Sequence, residues 1–271
     1  MNAFFVIAAR KAYLAFREGR LSPSPIAWVR LLRQLAAELR TPGVPTAVAA
    51  APLTSGTTVP AVDDEAQRMA LAAFLAGHQR FSFAAPQPQV SVLIAVHNRA
   101  DLTLRCLRSL AETTVPLQVV IVDNASVDAT ARILQRIDGA IVLRNAENVG
   151  FLAAVNQAAA RASGELLLLL NNDAEPLPGS LEAAIETLQS SASIGAVVGK
   201  LVHWNGRLQE AGSILWRDGT CQGYGRGDDP QAPPFMFRRD VAFGSAAFLL
   251  TRRDTFRALG GFDDRYRPAY Y

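Results

Sequence analysis

No apolar run in the 271 residues approaches the roughly 20 that a membrane-spanning helix requires. A span is therefore not expected. Cysteine is scarce: Cys106 and Cys221 offer neither metal-ligand spacing nor a disulfide framework, which fits a reducing compartment. The net charge is only +3, and no stretch interleaves basic residues with aromatics, so nucleic acid is not an expected partner. No Gly-x-Gly-x-x-Gly follows the first apolar strand and no Gly-Lys-Ser/Thr occurs anywhere. Those absences remove the dinucleotide fingerprint and the P-loop. Residues 1–9 lack the basic start of a signal peptide, so a cleaved leader is not expected.

What is present is a globular composition, 50% hydrophobic and 19% charged. Phe4, Phe5, Ile7, Tyr13, Leu14 and Phe16, then Trp28, Leu31, Leu32, Leu35 and Leu39, recur at helical spacing on either side of a Ser-Pro-Ser-Pro break. Residues 1–40 hold seven Lys or Arg against two Glu. Such a basic amphipathic pair can lie on an anionic membrane surface, or pack on protein with a solvated basic face. Residues 41–62, rich in Pro, Ala, Thr and Gly, resemble a linker. The acids at 63–65 open a third helix, to about His78.

From residue 89 the pattern becomes alternating. Strands are expected at 90–96, 117–122, 140–143, 165–170 and 194–198, with helices at 101–111, 128–137, 151–162 and 181–189. Repeated βα units imply an α/β domain whose mostly parallel sheet is covered on both faces. The run of five leucines, Leu166 to Leu170, suits a central strand buried on both sides. The first four expected strands end in polar groups: His97-Asn98-Arg99, Asp123-Asn124-Ala125-Ser126, Arg144-Asn145, and Asn171-Asn172-Asp173. Ligands bind at the carboxyl edge of such sheets. Each of these residues also has a turn-forming or helix-capping reading. Carboxylates at Asp123 and Asp173 suit a ligand rich in donors, such as a base NH and ribose hydroxyls. A divalent cation, Mg²⁺ or Mn²⁺, would bridge Asp173 to phosphate oxygens.

Five segments, in order, carry a resemblance. They are residues 90–99 (Val-Ser-Val-Leu-Ile-Ala-Val-His-Asn-Arg), 120–128 (Val-Ile-Val-Asp-Asn-Ala-Ser-Val-Asp), Asn148-Val-Gly-Phe with Asn156, 164–173, and Gly244-Ser-Ala-Ala-Phe-Leu-Leu-Thr-Arg-Arg with Gly260-Gly-Phe-Asp. Together they resemble glycosyltransferase family 2, its rhamnosyltransferase-like branch. The resemblance implies a GT-A fold over 88–271 behind a helical extension at 1–87. It also implies inverting transfer of a sugar from a nucleoside-diphosphate donor (UDP- or dTDP-sugar) to a glycan or lipid-linked acceptor. Surface polysaccharide synthesis at the cytoplasmic face would be the setting, with residues 1–40 contacting membrane or protein.

On this resemblance Val96, His97 and Asn98 would line the base and ribose, and Asp123 would hydrogen-bond a pyrimidine. Asn171, Asn172 and Asp173 occupy the Asp-x-Asp position, where only the last acid remains, so Asp173 would hold the metal. Asn148, Gly150 and Asn156 would shape the donor pocket. The family's catalytic base lies in a Glu-Asp-x-Asp motif expected just beyond Tyr271. The expectation is a C-terminally incomplete domain that binds donor and transfers sugar weakly or not at all. Asp263 and Asp264 read as turn formers. A non-catalytic nucleotide-sugar-binding or scaffold fragment, and a nucleotidyltransferase, are the competing classes.

Residues 203–240 break the regularity. Trp204-Asn205-Gly206-Arg207 reads as a hairpin turn before a strand at 208–216, and 218–234 as a long Gly- and Asp-rich loop. Such a loop closes over the donor or shapes the acceptor site, with Trp204, Trp216 and Tyr224 as faces for sugar stacking, or it is an ordinary surface excursion with core aromatics. Arg252 and Arg253 read as solvated.

Overall fold

The computed structural model describes residues 64–267. The two amphipathic helices, the linker and the last four residues lie outside the described residues. The described residues fall into two compact units, one of residues 64–201 with 244–267 and one of residues 202–243.

The first unit is an α/β sandwich built on a six-stranded sheet. Its strands are β2 (Val90–Val96), β3 (Leu117–Asp123), β5 (Ile141–Arg144), β6 (Leu166–Leu170), β7 (Ala196–Val198) and β12 (Phe248–Arg252), in the order β5-β3-β2-β6-β12-β7. The neighbours β5-β3-β2-β6 run parallel, and β12 is antiparallel to both β6 and β7. This is the mixed, mostly parallel sheet expected of a GT-A fold. The expected series placed the 194–198 strand after the leucine strand; β12 comes between them.

Every residue of β6 is buried. Leu166, Leu168 and Leu170 join one core with β2, β3 and the helices α1 (Asp64–Ala76), α2 (Ala100–Leu110), α3 (Thr130–Leu134) and α5 (Ser180–Gln189). Leu167 and Leu169 join the other with α4 (Phe151–Ala160), whose Ala154, Ala158 and Ala159 let it approach the sheet closely. Phe256 of α6 (Arg253–Ala258) packs on that second face. An apolar side chain at every position is what a strand covered on both faces demands.

The boundary expected at 87/88 is displaced. Helix α1 buries Phe74, and Phe83 is buried beyond it. The short strand β1 (Phe81–Ser82) pairs with β4 (Ile137–Asp138). Arg136 donates from Nη1 to the carbonyls of Phe74 and Gly77 and from Nη2 to that of Leu75. These bonds satisfy the last carbonyls of α1, where a cation is favoured, and residues 64–87 belong to the sheet unit. The helix expected over 128–137 contracts to α3 because the chain extends again to make β4.

Arg252 ends β12 and Arg253 begins α6, and Arg252 is not simply solvated. Its guanidinium donates to the carbonyls of Leu188 and Ile194. Arg252 pairs with Leu166, at the amino end of β6, far from the carboxyl edge.

Between β7 and β12 come β8 (Leu201–Val202), β9 (Leu208–Glu210), β10 (Ser213–Leu215) and β11 (Cys221–Gly223). The expected turn at 204–207 is present: the Gly206 amide donates to His203, and that of His203 to Arg207. The single strand expected at 208–216 is broken at Gly212, whose φ of 77° is a conformation glycine adopts without strain. Tyr224 packs edge-on against Phe235, and the Arg239 guanidinium lies 3.9 Å from its ring centroid. Tyr224 is thus a packed aromatic of the second unit. No helix among the described residues is long and apolar enough to cross a membrane.

Candidate active site

Parallel strands deliver their carboxyl ends to one edge, and three loops meet there. The first two brace one another. The Asn98 amide donates to Ser126 Oγ at 2.8 Å, and the Val127 amide returns a bond to Asn98 Oδ1 at 2.9 Å. The Ala100 amide donates to Asp128 Oδ2 at 2.8 Å, while Asp128 Oδ1 accepts from the Thr130 amide and hydroxyl. His97 Nδ1 donates to the Asn124 carbonyl at 2.7 Å, which leaves Nε2 as the acceptor facing Asn98 Nδ2.

Among the described residues, the non-glycine positions with positive φ are Asn98, Arg99 and Ala125. All lie in these two loops. Asn tolerates that conformation, whereas for Arg and Ala it costs about 1 kcal/mol or more each. Backbone strain held by a hydrogen-bonded frame is characteristic of functional loops.

Asp123 is 1% exposed. Its Oδ1 accepts from the Ser126 amide at 2.9 Å and its Oδ2 from Arg144 Nη1 at 2.8 Å. The expected open acceptor for a base is thus committed within the protein. Asn124 is held by Gly150 O and by Asn145 Nδ2, and Asn145 also reaches Gln157. Asn148 Oδ1 accepts from the Gly150 amide, and Gly150 precedes α4 with φ 84°. The Val96 side chain is buried in the core; its carbonyl accepts from the Asn124 amide. Asn156 lies deeper: Nδ2 donates to Phe262 O at 2.7 Å, and Oδ1 accepts from Phe262 N at 2.9 Å. It braces the Gly-Gly-Phe-Asp turn.

The third loop, 171–175, is held by α2. Cys106 Sγ donates to the Asn171 carbonyl at 3.6 Å, Asn172 Nδ2 donates to Thr103 Oγ1 at 3.1 Å, and Arg105 pairs with Glu175 at 2.7 Å. Burial pushes the Cys106 thiol up, and the nearby Asp173 and Glu175 charges push it further, so it remains a protonated donor. The start of β12 supports the loop from the other side, through Asn171 N donating to Ala247 O. Asp173 itself is exposed, and no described residue bonds its carboxylate.

No group of three or more His, Cys, Asp or Glu among the described residues could hold an ion on its own. One free carboxylate still fits Mg²⁺ or Mn²⁺, hard ions commonly held by one or two carboxylates with substrate phosphates and water. Asp263 and Asp264 are paired with Arg265 and Arg267, and Asp263 caps a single helical turn.

Sequence reasoning assembled the polar edge but missed its internal commitments. Ser126, Arg144, Asn145 and Thr103 carry the bracing, and an Arg at a strand end carries no signal distinguishing it from a solvated charge.

Residues 91–259 match the model of glycosyl transferase family 2. The O-antigen biosynthesis protein RfbC of Myxococcus xanthus is 32% identical over 191 residues, 66% of this chain and 15% of that protein. Glycosyltransferase AglE of Haloferax volcanii is 32% identical over 111 residues, 38% of this chain and 36% of that protein. The chain spans well under half the length of either relative. Mannosyltransferase PcManGT from Pyrobaculum calidifontis, solved with GDP-Man and Mn²⁺, aligns at a TM-score of 0.48 and 22% identity, over 73% of this chain and 59% of that one.

Proposed function

The chain belongs to glycosyl transferase family 2, and on that premise we propose that it transfers a sugar, with inversion, from a nucleoside-diphosphate donor to a glycan or lipid-linked acceptor in surface polysaccharide synthesis. The observation that carries the reading is Asp173. Around it the edge is tied up in internal hydrogen bonds, while this exposed carboxylate is left without a described partner at the end of the central strand.

Asp173 would hold Mg²⁺ or Mn²⁺ together with the donor's diphosphate. A cation there supplies neutralisation of the charge that gathers on the leaving diphosphate. The residues of this chain do the positioning. Helix α2 fixes the 171–175 loop through Thr103, Cys106 and Arg105, and the braced loops at 97–100 and 123–130 hold a preformed wall for the nucleoside. A wall already ordered loses little entropy on binding. The relationship to an O-antigen biosynthesis protein supports a surface polysaccharide as product. The basic balance of residues 1–40 supports work beside an anionic membrane face.

Calorimetry of the full chain with UDP, dTDP and GDP, with and without Mn²⁺, tests the reading. At least one nucleotide should bind more tightly with Mn²⁺, and Asp173→Asn should lose about tenfold or more of that metal-dependent affinity. Failure of all three nucleotides to bind would sink the reading, as would a metal dependence unchanged in Asp173→Asn.

A further inference from the structure

Arg144, the last residue of β5, reaches back across the end of β3. Its Nη1 donates to Asp123 Oδ2 at 2.8 Å and its Nη2 to the Ser126 carbonyl at 2.9 Å. The Asp123 side chain is 1% exposed and that of Arg144 is 53% exposed. With Asp123 Oδ1 taken by the Ser126 amide, the carboxylate is closed off from solvent. What this corner presents outward is a guanidinium pinned in two places. A guanidinium has five N–H donors and no acceptor, so three donors remain for a ligand.

Its place in the sheet suits the base end of a donor. In the order β5-β3-β2-β6, Arg144 ends the first strand and Asp173 follows the fourth. Three steps of about 4.8 Å put the two strand ends roughly 14 Å apart along the edge. An extended nucleoside diphosphate, with phosphates at one end and base at the other, bridges such a distance.

Resting on the donor reading above, we propose that Arg144 selects the base of that donor, and selects for a ring carbonyl. Uracil, thymine and guanine present an oxygen where cytosine and adenine present an amino group. A donor-only guanidinium pairs with the oxygen and leaves the amino group unpaired, the same chemistry by which arginine reads guanine in DNA. Asp123 acts through Arg144 as a positioning residue: it orients the fork and does not touch the base.

The test is calorimetry of the full chain with Mn²⁺, comparing UDP with CDP and GDP with ADP, for wild type, Arg144→Gln and Arg144→Lys. Wild type should prefer the carbonyl base of the pair it binds by about tenfold or more. Arg144→Gln should weaken that nucleotide by a similar factor and leave the amino counterpart within about twofold, so the preference collapses. Arg144→Lys keeps a charge for Asp123 but loses the fork, and should lose the preference too. A purely structural ion pair would lower the melting temperature and leave the preference intact, which overturns the inference. Tighter carbonyl-base binding by Arg144→Gln also overturns it, because Arg144 would then be screening Asp123. If wild type binds none of the four, the donor reading falls and the inference with it; if wild type binds but shows no preference, the inference alone falls.

Discussion

Replacing Asn156 by Ala tests whether this side chain serves the turn or the donor. Its amide satisfies both backbone groups of Phe262, at 2.7 and 2.9 Å, across 106 residues of sequence. The turn is shaped around it: Gly261 has φ 74°, and a Cβ there would come within 2.5 Å of Asn156 Oδ1. The Phe262 ring packs at 6.0 Å from Phe151 and 5.6 Å from Phe256, so the bonds fix a residue that also seals the second core. At about 1 kcal/mol net per hydrogen bond, Asn156→Ala should cost about 2 kcal/mol, more if the Phe262 groups stay dry. For a domain of this size that lowers the melting temperature by about 4–8 °C. Circular dichroism melts and urea titrations measure both quantities.

Asn156→Asp sharpens the test. It keeps the acceptor for the Phe262 amide but sets a carboxylate oxygen against the Phe262 carbonyl. At neutral pH it should be less stable than the Ala variant, and it should recover as acid protonates the carboxyl and restores a donor. A loss below about 0.5 kcal/mol in Asn156→Ala, accompanied by weakened nucleotide binding, would refute the turn role and assign the amide to the ligand.

Two further substitutions, one at each end of the sheet, have measurable outcomes. In Gly164→Ala, the new Cβ would lie 2.7 Å from Ser91 N and 2.9 Å from Val90 C, backbone atoms of a central strand; a cost of about 1–3 kcal/mol is expected, and an unchanged urea midpoint would contradict it. For Asp128, burial pushes the carboxyl up, but the Thr130 hydroxyl and the Ala100 and Thr130 amides outweigh it and hold it below the usual carboxylate range. A group with a depressed folded pKa adds stability that is present above its unfolded value and lost as pH falls through the folded one. The urea-midpoint gap between wild type and Asp128→Asn should therefore be wide near pH 7 and narrow by about pH 3; a gap constant over that range would refute the assignment.

The parts of the fold that were readable in advance are those whose cause is local. The leucine strand announced itself because a strand buried on both faces needs an apolar side chain at every position, and α2 because Leu102, Cys106, Leu107 and Leu110 share one face. Strand β12 did not. Its place is decided by pairing Phe248 with Leu170 and Arg252 with Leu166, partners distant in sequence that leave no periodic trace. The same holds for Asn156, whose partner is 106 residues away, and for Arg252, whose guanidinium finds carbonyls on α5 and beyond.

The candidate site divides along the same line. That polar groups gather at one sheet edge follows from the alternation of strands and helices, and so was visible from residue types alone. Which of them remain available to a ligand depends on who bonds whom, and that is a property of the packed chain. Asp123, Asn124 and Asn156 are the residue types a ligand would want, yet each is already bonded within the protein. Asp173 and Arg144 keep open faces, one of each charge. On the proposed donor reading, a cation-bridged diphosphate with an oxygen-bearing base would answer both at once, and Asp173 and Arg144 would then define the chemistry of the site better than the polar edge as a whole.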